Sequence, residues 1–158
     1  MKDEDIRLVN VERVDDLPVL FATLRRIGIA EFLDQLFPLH HNWKAELSFG
    51  QVVEGWLVYI LSQSDHRLNK VQAWVEEHLS LYEVNFGCAV RGLDFSDDRL
   101  ADILERVADY QKWNEFEAKL NRRTIRVYDL SVERIRLDST TTYSYKAVSE
   151  GGLLLLRF

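Results

Sequence analysis

Asp138 and the run behind it, Ser139-Thr140-Thr141-Thr142-Tyr143, are the residues of this 158-residue sequence best suited to hold a metal ion. Asp138 ends an alternating segment, Arg134-Ile135-Arg136-Leu137-Asp138. A carboxylate at such a strand end, followed by hydroxyl side chains, offers the hard oxygen ligands that a divalent cation takes. An Asp in that position also starts turns, because its side chain bonds to its own backbone two residues on. The residue types alone do not choose between the two. A second group is cationic: Arg122, Arg123, Arg126, Arg134 and Arg136. In plain terms this is a solvated face; read functionally, it is a stripe that contacts phosphates.

Other chemistries fall away on spacing. His40 and His41 are adjacent, so on a helix they would point about 100° apart, and no His-x-x-x-His pair exists for zinc. His66 and His78 read as surface or internally satisfied histidines. The single Cys88 leaves no internal disulfide and no cysteine-based zinc site, and it reads as a small buried residue. Trp56 and Trp74 lie on apolar faces and read as core residues rather than as platforms for base stacking. No Gly-x-Gly-x-x-Gly, phosphate-loop or Gly-x-Ser-x-Gly motif is found.

Charge divides unevenly along the chain. The net charge is −6. Residues 1–120 carry 13 Lys and Arg against 22 Asp and Glu, whereas residues 121–158 carry 7 against 4. The first part is therefore acidic, and the basic excess gathers around the arginine block. The opening Met-Lys-Asp-Glu-Asp is acidic where a secretory signal would be basic, and apolar runs such as Leu153–Leu156 fall far short of a membrane span. These features predict a cytoplasmic protein with no membrane partner.

The elements that would position these residues are mostly helices. Leu17, Leu20, Phe21, Leu24 and Ile27 recur at helical spacing, with Asp15 or Asp16 as cap, Pro18 in the first turn and Gly28 as the stop. A short helix is predicted over Ala30–Phe37, ended by Pro38. Ser48-Phe49-Gly50-Gln51 fits a capping box and opens a third helix, apolar on most faces and hence central. A fourth runs from Leu68 to Leu79. Leu81–Phe86 is ambiguous between helix end and strand. Ser96 caps a fifth helix with Leu100, Ile103, Leu104 and Val107 inward, and a sixth from Trp113 to Val127 carries the arginines. After Leu130 the pattern alternates in strand fashion, and Glu150-Gly151-Gly152 is a turn signal.

Leu137-Asp138-Ser139-Thr140-Thr141-Thr142-Tyr143-Ser144-Tyr145 resembles the first catalytic block of insertion-sequence transposases with an Asp-Asp-Glu, ribonuclease-H-like catalytic domain. The preceding region resembles the helical N-terminal domain of one branch of that family. The matching features are Leu24 with Ile27-Gly28-Ile29, Leu47-Ser48-Phe49-Gly50-Gln51, Leu68 and Val71 with Trp74, and Asp97-Asp98-Arg99-Leu100. The resemblance implies a mainly α chain: an N-terminal helical bundle at residues 1–130, then the first strands of an incomplete ribonuclease-H-like α/β domain at 131–158. It also implies two Mg²⁺ ions held by three carboxylates, of which only the first maps, onto Asp138. After Gly151-Gly152 the sequence departs from the family pattern into Leu153-Leu154-Leu155-Leu156-Arg157-Phe158, which reads as a truncation.

Three readings of function follow. In the first, the chain is a transposase remnant, inactive alone, whose helices contact transposon-end DNA or a second copy, with the arginine block as the DNA-contacting group. In the second, another reading frame supplies the missing carboxylates. In the third, the helices form a protein-interaction or dimerisation module with no DNA role, a reading favoured by the acidity of residues 1–120.

Overall fold

Gly28 joins the first two helices by itself. The computed structural model describes residues 12–38 and 46–132. In it Gly28 has φ 80° and is at once the C-cap of α1 (Leu17–Ile27) and the N-cap of α2 (Ile29–Leu36). The left-handed region costs a side chain-bearing residue roughly 1–2 kcal/mol, so glycine is the residue that lets the chain turn there within a single position.

The remaining helices are α3 (Phe49–Gln63), α4 (Leu68–Glu76), α5 (Leu79–Phe86), α6 (Asp97–Val107) and α7 (Tyr110–Val127), with a 3-10 turn at Gly92–Phe95. α3 is the central element and packs on α1, α2 and α4, while α7 lies across α1 and α2. Its buried side chains come from nearly all round the helix, among them Phe49, Val52, Trp56, Val58 and Tyr59. Two devices fix where α3 begins. Ser48 and Gln51 form the predicted reciprocal capping box. Asp34 of α2 adds a clamp from outside: it accepts Ser48 Oγ at 2.6 Å and the Gly50 amide at 2.7 Å. Gly50 lets the two helices approach, since a Cβ there would stand 2.2 Å from the Ala30 carbonyl oxygen.

The other end of the core is aromatic. Tyr82 is fully buried, meets Phe21, Phe95 and Phe86 edge to face, and donates its hydroxyl to the Gly55 carbonyl at 2.8 Å. Beside it, the buried Asp94 carboxylate accepts from Arg91 at 2.9 Å and from Arg99 at 2.8 Å. This double pairing is what makes a buried charge tolerable there.

Several expectations need correction. The mainly α chain with the opening strands of a ribonuclease-H-like α/β domain is not what the structure holds: the described residues are helical, with no strand among them. The apolar side chains of the described residues recur at helical spacing and pack helix on helix, so those residues need no strand ladder. The alternation at Arg134–Asp138, on which the strand reading rested, lies outside the described residues. The ambiguous Leu81–Phe86 is helical, because its burial follows one turn rather than every second residue: Tyr82 is buried and Val84 is 82% exposed. Leu104, expected to face inward, is 45% exposed. Asp16 occupies the N-cap position of α1, but its side chain makes no cap bond and accepts instead from Ser62 Oγ of α3 at 2.9 Å. Ser96 likewise flanks α6 without a side-chain cap bond. No helix among the described residues is long and apolar enough to cross a membrane.

Candidate nucleic-acid interface

The last helix carries the basic groups. α7 is started by Asp109, whose carboxylate accepts the Gln111 and Lys112 amides, and it is anchored by the buried Phe116. Beyond that anchor Lys119, Arg122, Arg123 and Arg126 follow at intervals of three and four, which places them on one face of the helix. With Phe32 and Gln35 of α2 they line a groove of about 230 Å³ that contains no carboxylate. Arg122 and Arg126 are exposed and Arg123 is half-buried. Among the described residues none of the three arginines forms an ion pair, whereas Lys119 reaches Glu115 at 3.1 Å and Gln35 at 3.4 Å.

From Lys119 to Arg126 the stripe spans about 10 Å at 1.5 Å per residue, enough for two or three phosphates at the 3.4 Å axial spacing of one strand. Arg26 of α1 extends positive charge toward the end of α7: it donates to the Val127 carbonyl at 3.3 Å and stacks over Tyr128 at 5.2 Å. The arrangement can hold phosphate oxygens through forked, charge-assisted hydrogen bonds.

Of the residues singled out from sequence, the structure brings Arg122, Arg123 and Arg126 together. Arg134, Arg136 and Asp138 lie outside the described residues, as do His40 and His41. Among the described residues no three His, Cys, Asp or Glu side chains come together to hold a metal. His78 donates from Nδ1 to the Trp74 carbonyl at 2.7 Å, so it is internally satisfied. Burial, with Glu46, Asp94 and Glu83 nearby, pushes the Cys88 thiol up from its ordinary value and away from nucleophilic use. Lys119 was missed, although its place three residues before Arg122 is a helical signal. Glu54 was missed as well. It is 3% exposed, and its Oε1 has no hydrogen-bond partner among the described residues. The signal was a lone carboxylate within Val52-Val53-Glu54-Gly55-Trp56, on a helix apolar nearly all round.

Residues 9–118 match the family described as a domain of unknown function (DUF4277), and the chain belongs to that family. The matched stretch takes in α1 to α6 and the first half of α7, and ends one residue before Lys119. No curated protein and no solved structure matches the chain.

Proposed function

We propose that this chain is a helical DNA-contacting module of an insertion-sequence transposase, acting in the cytoplasm and gripping duplex DNA at the transposon ends through α7. The observation that supports this most is the groove of Lys119, Arg122, Arg123 and Arg126, whose three guanidinium groups have no ion-pair partner among the described residues. Clustered like charges repel one another and raise the free energy of the unbound protein, and a polyanion relieves that. The sequence features shared with transposases point to the same partner. An overall charge of −6 does not oppose it, because contact is made by the local patch.

Titration of the chain with a labelled duplex at increasing salt tests the reading. If three phosphates are neutralised, log affinity should fall against log salt with a slope of about −3, and Arg122→Ala with Arg123→Ala should flatten it by about 2. Binding that ignores salt, or a double variant with an unchanged slope, removes the groove as the DNA contact.

A second reading, a homodimerisation module, draws on a different observation. Ile125, Tyr128, Leu130 and Val132 are all exposed, which is an apolar concentration at the end of α7. Sedimentation at rising concentration separates the two: a dimer lost on Leu130→Glu, in a protein that does not bind DNA, favours this reading.

A further inference from the structure

Apart from the basic groove, a cavity of about 320 Å³ lies between α1, α2, α3 and α5. Arg25 and Glu31 are exposed and form its mouth; Glu54 is buried and forms its floor; Phe86 and Asn85 close one side. Gly28 and Ala30 leave room above the floor, since neither has a side chain long enough to fill it. Glu54 Oε1 is buried with no donor among the described residues. Arg25 is near enough to act on Glu54 through its charge, yet its Nη2 donates to the Asn85 carbonyl at 2.6 Å. The one guanidinium of the wall is therefore committed to the end of α5, and the carboxylate below it stays unpaired.

We propose that this cavity binds a guanidinium group, with Glu54 as its carboxylate acceptor.

The charge around the site agrees. The groups facing Glu54 are Arg25 from α1 and Glu31 and Asp34 from α2, while α5 contributes only the uncharged Asn85 and Phe86. Asp34 is held by Ser48 and Gly50 and is not free to serve as a ligand. With Glu54 ionised, the three carboxylates of Glu31, Asp34 and Glu54 outnumber the single Arg25, and a bound cation offsets part of that excess. Guanidinium suits the site better than ammonium on two counts. Its fork matches a carboxylate bidentately, and it is more weakly hydrated, so it loses less on entering a partly enclosed space. Phe86 offers it an aromatic wall. Burial pushes the Glu54 carboxyl up to about 7, with Arg25 opposing and Asp34 adding, so the empty site holds a proton through the mildly acid range. A bound cation would displace that proton.

The test is calorimetry on the full chain with methylguanidinium, methylammonium and a capped Gly-Arg-Gly peptide. Methylguanidinium should bind saturably and methylammonium on the order of tenfold more weakly. At pH 6 binding should release close to one proton, read from the dependence of the heat on buffer ionisation enthalpy, and Glu54→Gln should abolish it. The proton count is made on the unaltered chain and stands even if the variant fails to fold. If the peptide binds as well, the natural source is an arginine side chain of a protein; if methylguanidinium alone binds, it is a free small molecule. Equal binding of methylammonium, no proton release, or no binding of either guanidinium probe, as a cavity filled only by water would give, overturns the proposal. None of these results bears on the DNA reading, which rests on a different set of side chains on α7.

Discussion

Glu54 contributes to the pH behaviour of the fold as a carboxyl whose neutral form burial favours. Its pKa rises from the ordinary 4.5 to about 7, with burial as the main cause. Between those values the unfolded chain gives up its proton first, so the folded state binds more protons and stability falls as pH rises. The loss should reach about 3 kcal/mol by pH 8. Glu54→Gln should remove that decline and leave a protein more stable than the parent at pH 8 and no more stable at pH 4.5. Denaturant melts of both proteins across this range check it, and parallel curves would refute it. The groups shifted downward act in a separate window. Hydrogen bonds from Arg67 hold Asp65 well below the usual carboxylate range, and Glu12 is lowered: burial raises it, but hydrogen bonds from Ser80 and Leu81 prevail. Their stabilisation is present above the ordinary carboxylate range and lost only as pH falls below about 4.

At the scale of elements, the tightest join is between α2 and α3. Gly50→Ala would bring a methyl within 2.2 Å of the Ala30 carbonyl oxygen, which belongs to backbone and cannot swing aside. The helices must part, and the variant should lose about 1–3 kcal/mol, more than helix propensity returns. Thermal unfolding of Gly50→Ala beside Gly87→Ala gives the comparison. Gly87 has open space around it but φ 71°, so its cost is backbone strain alone. What the sequence allowed one to read here was local: Gly28 as a stop, Ser48 with Gln51 as a box, Pro18 in a first turn. Each involves residues within four positions of one another. The Asp34 clamp on α3, the Asp16 bond to Ser62 and the Arg25 bond to Asn85 join separate elements, and no spacing in the sequence announces them. The arginine groove was half visible. The helical run of arginines could be read, but its wall of Phe32 and Gln35 depends on how α7 crosses α2. The strand reading went wrong because alternation describes one strand's faces and is silent about a partner to pair with.

For the whole molecule, the net charge of −6 contrasts with the local basic groove of Lys119, Arg122, Arg123 and Arg126. Contact with DNA through guanidinium groups requires no metal, so EDTA should leave the affinity of the chain for a duplex unchanged at fixed ionic strength. A large loss on chelation, restored by Mg²⁺, would show that the contact is made elsewhere, through carboxylates and a bridging ion. The same gel-shift series would expose cleavage if it occurs.

α7 runs unbroken from Tyr110 to Val127, through the point where the family match ends. It therefore acts as a drive shaft: Phe116 fixes the angular position of the near end, and every later side chain inherits its bearing from that anchor. One alanine inserted between Asn121 and Arg122 would turn Arg122, Arg123 and Arg126 by about 100° away from Phe32 and Gln35, while seven inserted residues would return them to within about 20° of their original bearing. Circular dichroism should show the helix retained in both insertion variants, so loss of helix does not separate them. Steep salt dependence of DNA binding should vanish with one residue and recover in large part with seven. Equal losses would mean that distance from the bundle governs the contact, and not rotation about the helix axis.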